Sequence, residues 1–364
     1  MDPIAPGAVR PASCTCERHR PMDNLATTVS AWLRQAWRHA LTARARLEGK
    51  AFHCRALAGR SEINICINSD LTVSCNCHDV DGTGHIGDLT RQSLAECFSG
   101  TTADRFRRQL AAGRLPIANC ARCCDLRMVD RSVACRLADR HRLPRFVMVE
   151  NTSACNLRCV SCPRTTVRNL RRKLFMSLDD VRLVAEQLSE VGVRRVAYLN
   201  LGEPFLSRTI RQELEIIRQE NPGIEINTST NALVIDSEDK RRAALLIDRM
   251  QVSLDGVSQE TVTRYQRGSD FERAYCNMRA LVSYRDRRGA SRPLIIWKYL
   301  LFRWNESPRH VAQALQLARQ ANVDRILFER TVSPFYGIPY RSYLGLHRRL
   351  GQAVMGDRLV LLRR

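Results

Sequence analysis

Cys155-Asn-Leu-Arg-Cys159-Val-Ser-Cys162 sets three cysteines in one short loop with the spacing CxxxCxxC. Three thiolates this close suit a single iron-sulfur cube, which normally takes four cysteine ligands. Three ligands leave the fourth iron open, and an open coordination position separates a metal centre that reacts from one that only holds structure. For the three cysteines alone, a zinc knuckle is the alternative.

Working outward, the loop follows the apolar run Phe146-Val-Met-Val-Glu150 and opens a pattern of strand, loop and helix. Strands are predicted at Phe146–Glu150, Val196–Asn200, Glu225–Ser229, Met250–Leu254, Leu294–Leu301 and Arg325–Phe328. A helix follows each of the first five, as at Ser177 to Val191, where Ser177 caps and Asp180 stands three residues on. About six such units imply an α/β fold with a parallel sheet, whose functional residues lie at the C-terminal strand ends. Six are too few for a closed eight-stranded barrel.

Four further elements lie in order along these units. They are Leu201-Gly-Glu-Pro204, Asn227-Thr-Ser-Thr-Asn231-Ala-Leu, Val252-Ser-Leu-Asp255-Gly256 and Tyr265-Gln-Arg267-Gly268. With the cysteine loop in its context Glu150-Asn-Thr-Ser-Ala-Cys155, they resemble the motifs of radical S-adenosylmethionine (radical SAM) enzymes. The departures are Leu201 for the first glycine of GGEP, Ala232 for the glycine of TNG, and Ser161 where an aromatic residue often packs on adenine.

The resemblance implies a partial (βα)6 TIM-like barrel and a 4Fe-4S cluster on Cys155, Cys159 and Cys162. It also implies S-adenosylmethionine held by Gly202, Glu203, Pro204, Asn231, Ser253, Asp255 and Arg267. In that scheme Glu203 accepts from the SAM ammonium, Ser253 and Asp255 bind ribose hydroxyls or the methionine carboxylate, and Arg267 pairs with that carboxylate. Trp297 or Ile326 is expected to support adenine in place of Ser161. An external reductase such as flavodoxin or ferredoxin is the implied electron source.

Nine of the fifteen cysteines fall between residues 51 and 143. Ile63-Asn-Ile-Cys-Ile-Asn68 and Leu71-Thr-Val-Ser-Cys75 read as a hairpin turned by Ser69-Asp70. Cys54, fifteen residues, Asp70, four residues and Cys75, followed by Ile86-Gly-Asp-Leu89 and Cys120-x-x-Cys123, resemble the SPASM or twitch domain of radical SAM enzymes. That domain usually follows the barrel, whereas here the segment precedes it, and Asp70 stands at the family's turn glycine. The resemblance implies an auxiliary 4Fe-4S cluster on Cys54, Cys75, Cys120 and Cys123. Cys66, Cys77, Cys124 and Cys135 are alternatives or ligands of a second cluster, and a zinc ribbon stays open for the segment.

The expected organisation is an arm and amphipathic helix at 1–50, the auxiliary domain at 51–143, the barrel at 144–335 and a basic tail at 336–364. The helix, from Asn24 as cap to about Leu47, carries Leu25, Val29, Leu33, Ala36 and Ala40 as its apolar face, with Arg34 and Arg38 among its polar positions. It is expected to pack on the domain that follows. The tail, with six arginines between Gly337 and Arg364, is expected to cap the chain or close over the substrate opening. Cys276 is a candidate hydrogen-atom donor and His78 a candidate metal ligand.

Clustered cysteines fit metal ligation in a reducing compartment better than a disulfide framework. No apolar run is long enough to span a membrane, so a cytoplasmic protein is expected. The formal charge of +21 is spread as arginine through every segment. It motivates a zinc-ribbon nucleic-acid binder as the reading of another class, although the LGEP and SLDG elements have no place in one. The leading expectation is an oxidoreductase-type biosynthetic enzyme whose 5'-deoxyadenosyl radical takes hydrogen from a small polar sugar or aminocyclitol. A peptide maturase is the alternative; the 50 residues before the cysteine-rich segment are too few for a leader-binding domain of the usual size, which favours the small molecule.

Overall fold

A computed structural model describes residues 22–62, 64–77 and 79–344 together with two short strands near the C-terminus; side chains are described for residues 32–344. The proline-rich arm with Cys14 and Cys16, Ile63, His78 and residues 345–353, 356–357 and 363–364 of the basic tail lie outside the described residues.

Helix α1 (Met22–Leu47) opens the description, followed by β1 (Lys50–Cys54). Three short strands come next: β2 (Cys66–Ile67), β3 (Thr72–Ser74) and β4 (His85–Asp88). Helices α2 (Leu94–Ser99) and α3 (Thr101–Ala111), a 3-10 turn at Ala118–Arg122, β5 (Leu126–Asp130) and α4 (Arg131–Ala138) complete the N-terminal half. The repeating part runs β6 (Phe146–Val149), α5 (Arg164–Leu170), α6 (Leu178–Val191), β7 (Arg195–Tyr198), α7 (Ile210–Glu220), β8 (Glu225–Thr230) and α8 (Glu238–Ala244). It continues with β9 (Arg249–Ser253), α9 (Gln259–Thr263), α10 (Phe271–Arg287), β10 (Leu294–Leu301), α11 (Pro308–Ala321) and β11 (Arg325–Arg330). After α12 (Tyr340–Tyr343) come β12 (Val354–Met355) and β13 (Arg358–Leu362).

All six strands of the repeating part stand where the apolar runs place them, and they pair in parallel in the order β6-β7-β8-β9-β10-β11. Alternation decides the faces. Val147, Val196, Met250, Trp297 and Phe328 are buried in the large core beneath the helices, while Met148, Ala197, Ser253, Lys298 and Glu329 occupy the alternate positions. Ser177 caps α6 in the expected capping box with Asp180.

The sheet does not stop at the first repeating strand. β2 adds to β6 in parallel, β3 and β4 follow antiparallel, and β13 and β12 extend the far edge, giving eleven strands. The described part of the tail is thus a 3-10 turn and the short helix α12 followed by two edge strands, β12 and β13. The segment expected as a separate auxiliary domain shares both this sheet and the main apolar core, to which Leu57, Val73, Phe98 and Phe106 belong. Among the described residues, β1 and β5 form a separate two-stranded sheet.

A buried ionic network holds this junction. Arg171 donates to Glu150 at 2.7 Å and to Asn68 at 2.8 Å, and Asn200 donates to Glu150 at 2.9 Å, with the paired side chains of Arg171 and Glu150 almost wholly buried. In the hairpin, Leu71 rather than Asp70 takes the left-handed conformation, with φ 69°. Asp70 instead closes the turn by accepting from Thr72 and ties it to the repeating part by accepting from the Arg172 amide.

Helix α1 packs as expected, but on a different stripe. Ala45 is buried, Leu41 joins the core, and Arg38 lies inward, donating to Leu115 O at 3.0 Å. Leu33 and Ala40 are exposed instead. Asn24 lies inside the helix, two residues past its start, so it is not the cap.

Candidate active site

The chain leaves β6 through Glu150 and enters the cysteine loop at the C-terminal edge of the sheet, where the loops after β7, β8 and β9 converge. The loop is braced from three sides. Gly202 lies against its base: a Cβ there would stand 2.0 Å from Thr152 O and 2.9 Å from Ala154 O, so no side chain fits. Glu203 N donates to Ala154 O at 2.8 Å. Asn231 Nδ2 donates to Asn156 Oδ1 inside the loop at 2.8 Å. On the third side the loop pairs with the chain after α9, where Arg158 N donates to Arg267 O and Val160 N to Tyr265 O.

Cys155, Cys159 and Cys162 are half-buried. Burial pushes the Cys155 thiol up to about 11, with the carboxyl of Glu203 adding to the effect. Cys159 is also raised, by burial and then by Asp255, and Cys162 by burial. Each of Cys155 and Cys159 lies in the field of Cys162. Thiols held protonated by burial and nearby carboxyls ionise when a cation arrives to compensate them.

Glu203 faces the protein rather than solvent. It accepts from Thr230 Oγ1 and Asn231 N, both at 2.7 Å, and from Phe205 N at 3.3 Å, and burial lifts its carboxyl to about 7. In this arrangement it locks the loop after β7 to the turn after β8. Pro204 starts a 3-10 turn, and its carbonyl accepts from Asn151. Ala232 takes φ 60°, the conformation for which the resembled turn uses glycine.

Asp255 is likewise buried and pushed up to about 7 by that burial, with Leu300 N donating to it at 2.8 Å. Ser253 faces away from the helices and shares a hydrogen bond of 3.0 Å with Ser229. The Arg267 side chain is exposed at the rim. Lys298 and Glu329 form an ion pair of 3.3 Å on the same face as Ser253.

Trp297 and Ile326 do not stand where adenine was expected. Both are buried on the helix side of the sheet, and Trp297 packs on Tyr275 and Tyr299 and donates to Leu254 O. The alternation of their strands turns them away from the open face. Cys276 is exposed on α10 in an arginine-lined groove with Arg241 and Arg279, on the outer helix layer.

Residues without a sequence signal do much of the positioning. Gln266 donates to Ser253 O and accepts from Asp255 N, both at 2.9 Å, and Asn305 donates to Asp255 O. Buried Glu213 accepts from Asn151 and Tyr198 beneath the loop after β7. Each is a polar residue in a helix or loop, and only its burial distinguishes it from ordinary surface polarity.

A second group of cysteines lies in the N-terminal half. Cys54 at the end of β1, Cys75 after β3, and Cys120 and Cys123 at the 3-10 turn line one enclosed cavity with Leu57, Phe106 and Leu110. Burial raises all four thiols, that of Cys123 to about 12, and Cys54 and Cys75 each feel the other cysteines around the cavity. Cys66 and Cys77 lie apart, packed with Met148 and Ala197 on the open face of the sheet. Cys124 is exposed, and the Asn64 amide bridges it to Cys123 and Asp125. Cys135 is exposed. Among the described residues, no three His, Cys, Asp or Glu side chains are grouped as ligands of one metal ion.

Residues 149–293 match the family profile described as the Radical SAM superfamily. Curated relatives include a GTP 3',8-cyclase of Pelotomaculum thermopropionicum, 29% identical over 134 residues, which are 36% of this chain and 40% of that protein. A GTP 3',8-cyclase of Chlorobaculum tepidum is 32% identical over 138 residues, covering 37% and 41% of the two chains. The chain thus spans about 40% of the length of these relatives. Similar solved structures include native anSMEcpe with bound AdoMet and a Cp18Cys peptide, at TM-score 0.43 and 16% identity over 56% of this chain and 58% of that one. BtrN in complex with AdoMet and 2-DOIA aligns at TM-score 0.28 and 22% identity, over 35% and 54%. The stretch holding the cysteine loop, the LGEP turn and the Ser253–Asp255 strand end lies within the residues that match the radical SAM superfamily, a family of radical-based enzymes.

Proposed function

We propose that this chain is a radical SAM enzyme acting on a small polar substrate of sugar or aminocyclitol type, with an auxiliary iron-sulfur cluster assisting oxidation. The carrying observation is the half-buried trio Cys155, Cys159 and Cys162, braced by Gly202, Asn231 and Arg267 at the edge where the strand ends meet. Cys155, Cys159 and Cys162 would hold a 4Fe-4S cluster, which with S-adenosylmethionine would supply the reductive radical chemistry that takes hydrogen from a substrate.

The chain's own residues bind, orient and exclude water. Gly202 lets the backbone after β7 come close, so its carbonyls are available as acceptors for an ammonium group. Glu203 acts one step back, fixing that backbone through its three accepted hydrogen bonds. Ser253, beside Ser229, offers hydroxyls to a ribose, and the exposed Arg267 reaches a carboxylate at the rim. Lys298, Glu329, Ser229 and Ser253 make the open face polar, which favours a hydroxylated or charged substrate.

For the auxiliary site, the supporting feature is the donor set. A four-iron cluster takes one thiolate per iron, and the four cysteines that line this one apolar cavity supply that number. Its enclosure by Leu57, Phe106 and Leu110 keeps water and substrate away, fitting an electron-accepting role.

The test is anaerobic reconstitution with iron and sulfide, addition of S-adenosylmethionine and dithionite, and measurement of 5'-deoxyadenosine. The expected result is its formation by the wild-type chain and its loss when Cys155, Cys159 and Cys162 are changed together to alanine. Undiminished formation in that variant overturns the assignment.

A further inference from the structure

A ladder of rings runs from the chain that pairs with the cysteine loop toward the surface. Tyr265, whose carbonyl accepts from Val160 in the loop, lies 4.6 Å from Phe302 between ring centroids. Phe302 stacks on Trp304 at 4.6 Å with an interplanar angle of 4°, and Trp304 meets Tyr336 at 6.3 Å. The Tyr265 phenol lies in the field of Asp255, Cys159 and Cys162, which together with burial raises it. Tyr336, at the other end, is 58% exposed. Gly337 makes the stack possible, since a Cβ there would stand 2.9 Å from the Trp304 ring and 3.1 Å from Phe302.

The outer end of the ladder opens into a cleft of about 530 Å³ lined by Arg264, Arg303, Trp304 and Tyr336. Arg264 pairs with Glu260, whereas Arg303 has no carboxylate partner among the described residues. Near Tyr336 in the chain, Val332, Phe335 and Leu344 are all more than 60% exposed. An apolar centre rich in aromatics with arginines around it has the composition of a protein-protein contact. The charge of the rim, on a chain of formal charge +21, selects an acidic partner.

We propose that this cleft is the docking surface of a small acidic protein carrying one transferable electron, and that Tyr265, Phe302 and Trp304 are the packed medium through which the electron reaches the cysteine loop. The inference rests on the radical SAM reading of that loop. One electron leaves the reduced carrier and arrives at the centre held by Cys155, Cys159 and Cys162. No bond in the protein forms or breaks, and the rings are neither oxidised nor reduced. Tunnelling weakens steeply across gaps, and close-packed rings leave none.

The test uses the reconstituted full chain and flavodoxin hydroquinone as the probe, with dithionite as a reductant that needs no docking. Binding is read from flavin fluorescence at several salt concentrations, and electron delivery from 5'-deoxyadenosine. Changing Arg264→Glu and Arg303→Glu together is expected to weaken binding and flavodoxin-driven product by about tenfold or more, the lower range of electrostatic steering, leaving the dithionite-driven rate unchanged. The same charge change at Arg279→Glu and Arg287→Glu, in the groove beside α10, is expected to alter neither. Equal losses from both pairs, or full flavodoxin-driven activity in the first, overturn the docking surface. If wild type yields no 5'-deoxyadenosine even with dithionite, the radical SAM reading itself fails, and this inference with it.

Discussion

The two cysteine groups are built by opposite routes. Cys155, Cys159 and Cys162 come from one loop at a sheet edge, stay half-exposed, and stand among buried carboxyls and polar strand ends. Cys54, Cys75, Cys120 and Cys123 come from three separate places and close on an apolar cavity. On the proposed reading, a local trio would leave one corner of a cluster free for a reacting molecule, whereas a remote foursome would fill every corner. If the proposal holds, ligand count and sequence distance together separate a site that reacts from one that stores or relays charge.

The largest expected effect falls on the junction on which both groups depend. Arg171→Met leaves Glu150 buried without its cation between the hairpin and the cysteine loop, and is expected to cost about 3–5 kcal/mol in urea denaturation. A loss confined to the N-terminal half, with the repeating part unfolding at its usual midpoint, would break the picture of one continuous sheet.

Next is Gly202→Ala, which pushes a methyl group into Thr152 O. The expected cost is about 1–3 kcal/mol. Iron retention at the open trio should fall while the enclosed group keeps its own; equal losses at both would show that the two are not independent.

Glu203 sharpens the comparison through pH. Burial raises its carboxyl from 4.5 to about 7, so the folded chain holds a proton there that the unfolded chain releases. Its contribution is complete below the unfolded value and is lost as pH rises toward the folded one. Relative to Glu203→Gln, wild type is expected to lose on the order of 1–3 kcal/mol between pH 4.5 and 7 in denaturation of the metal-free chain. A difference that stays flat across that window contradicts the buried geometry.

The open site was far more legible than its surroundings. Its three cysteines lie within one loop, and its strands announce themselves as apolar runs of regular spacing. The junction was hidden because β2 is two residues long, too short to show alternation, and its pairing with β6 joins residues about eighty positions apart. Arg171, Gln266 and Asn305 read as surface residues until burial reveals them. Leu33 shows the reverse error: a sound helical stripe with the wrong face turned inward, because Arg38 found a carbonyl to satisfy it.

The smallest effect belongs to Ala232, an L-residue held at positive φ in the turn that braces the open loop. Ala232→Gly relieves that strain but frees the unfolded chain, so the net gain in thermal denaturation is up to about 1 kcal/mol. A loss instead would show that the buried methyl group contributes more than the turn gains.

The contrast between the open and the enclosed cysteines is tested most directly by iron and acid-labile sulfide per chain, with 5'-deoxyadenosine measured on the same samples. Wild type is expected to hold about eight irons, and variants lacking either the trio or the foursome about four each. Formation of 5'-deoxyadenosine should survive only where Cys155, Cys159 and Cys162 remain. Zinc without sulfide, or product formation that follows the enclosed cysteines rather than the loop, would contradict the account.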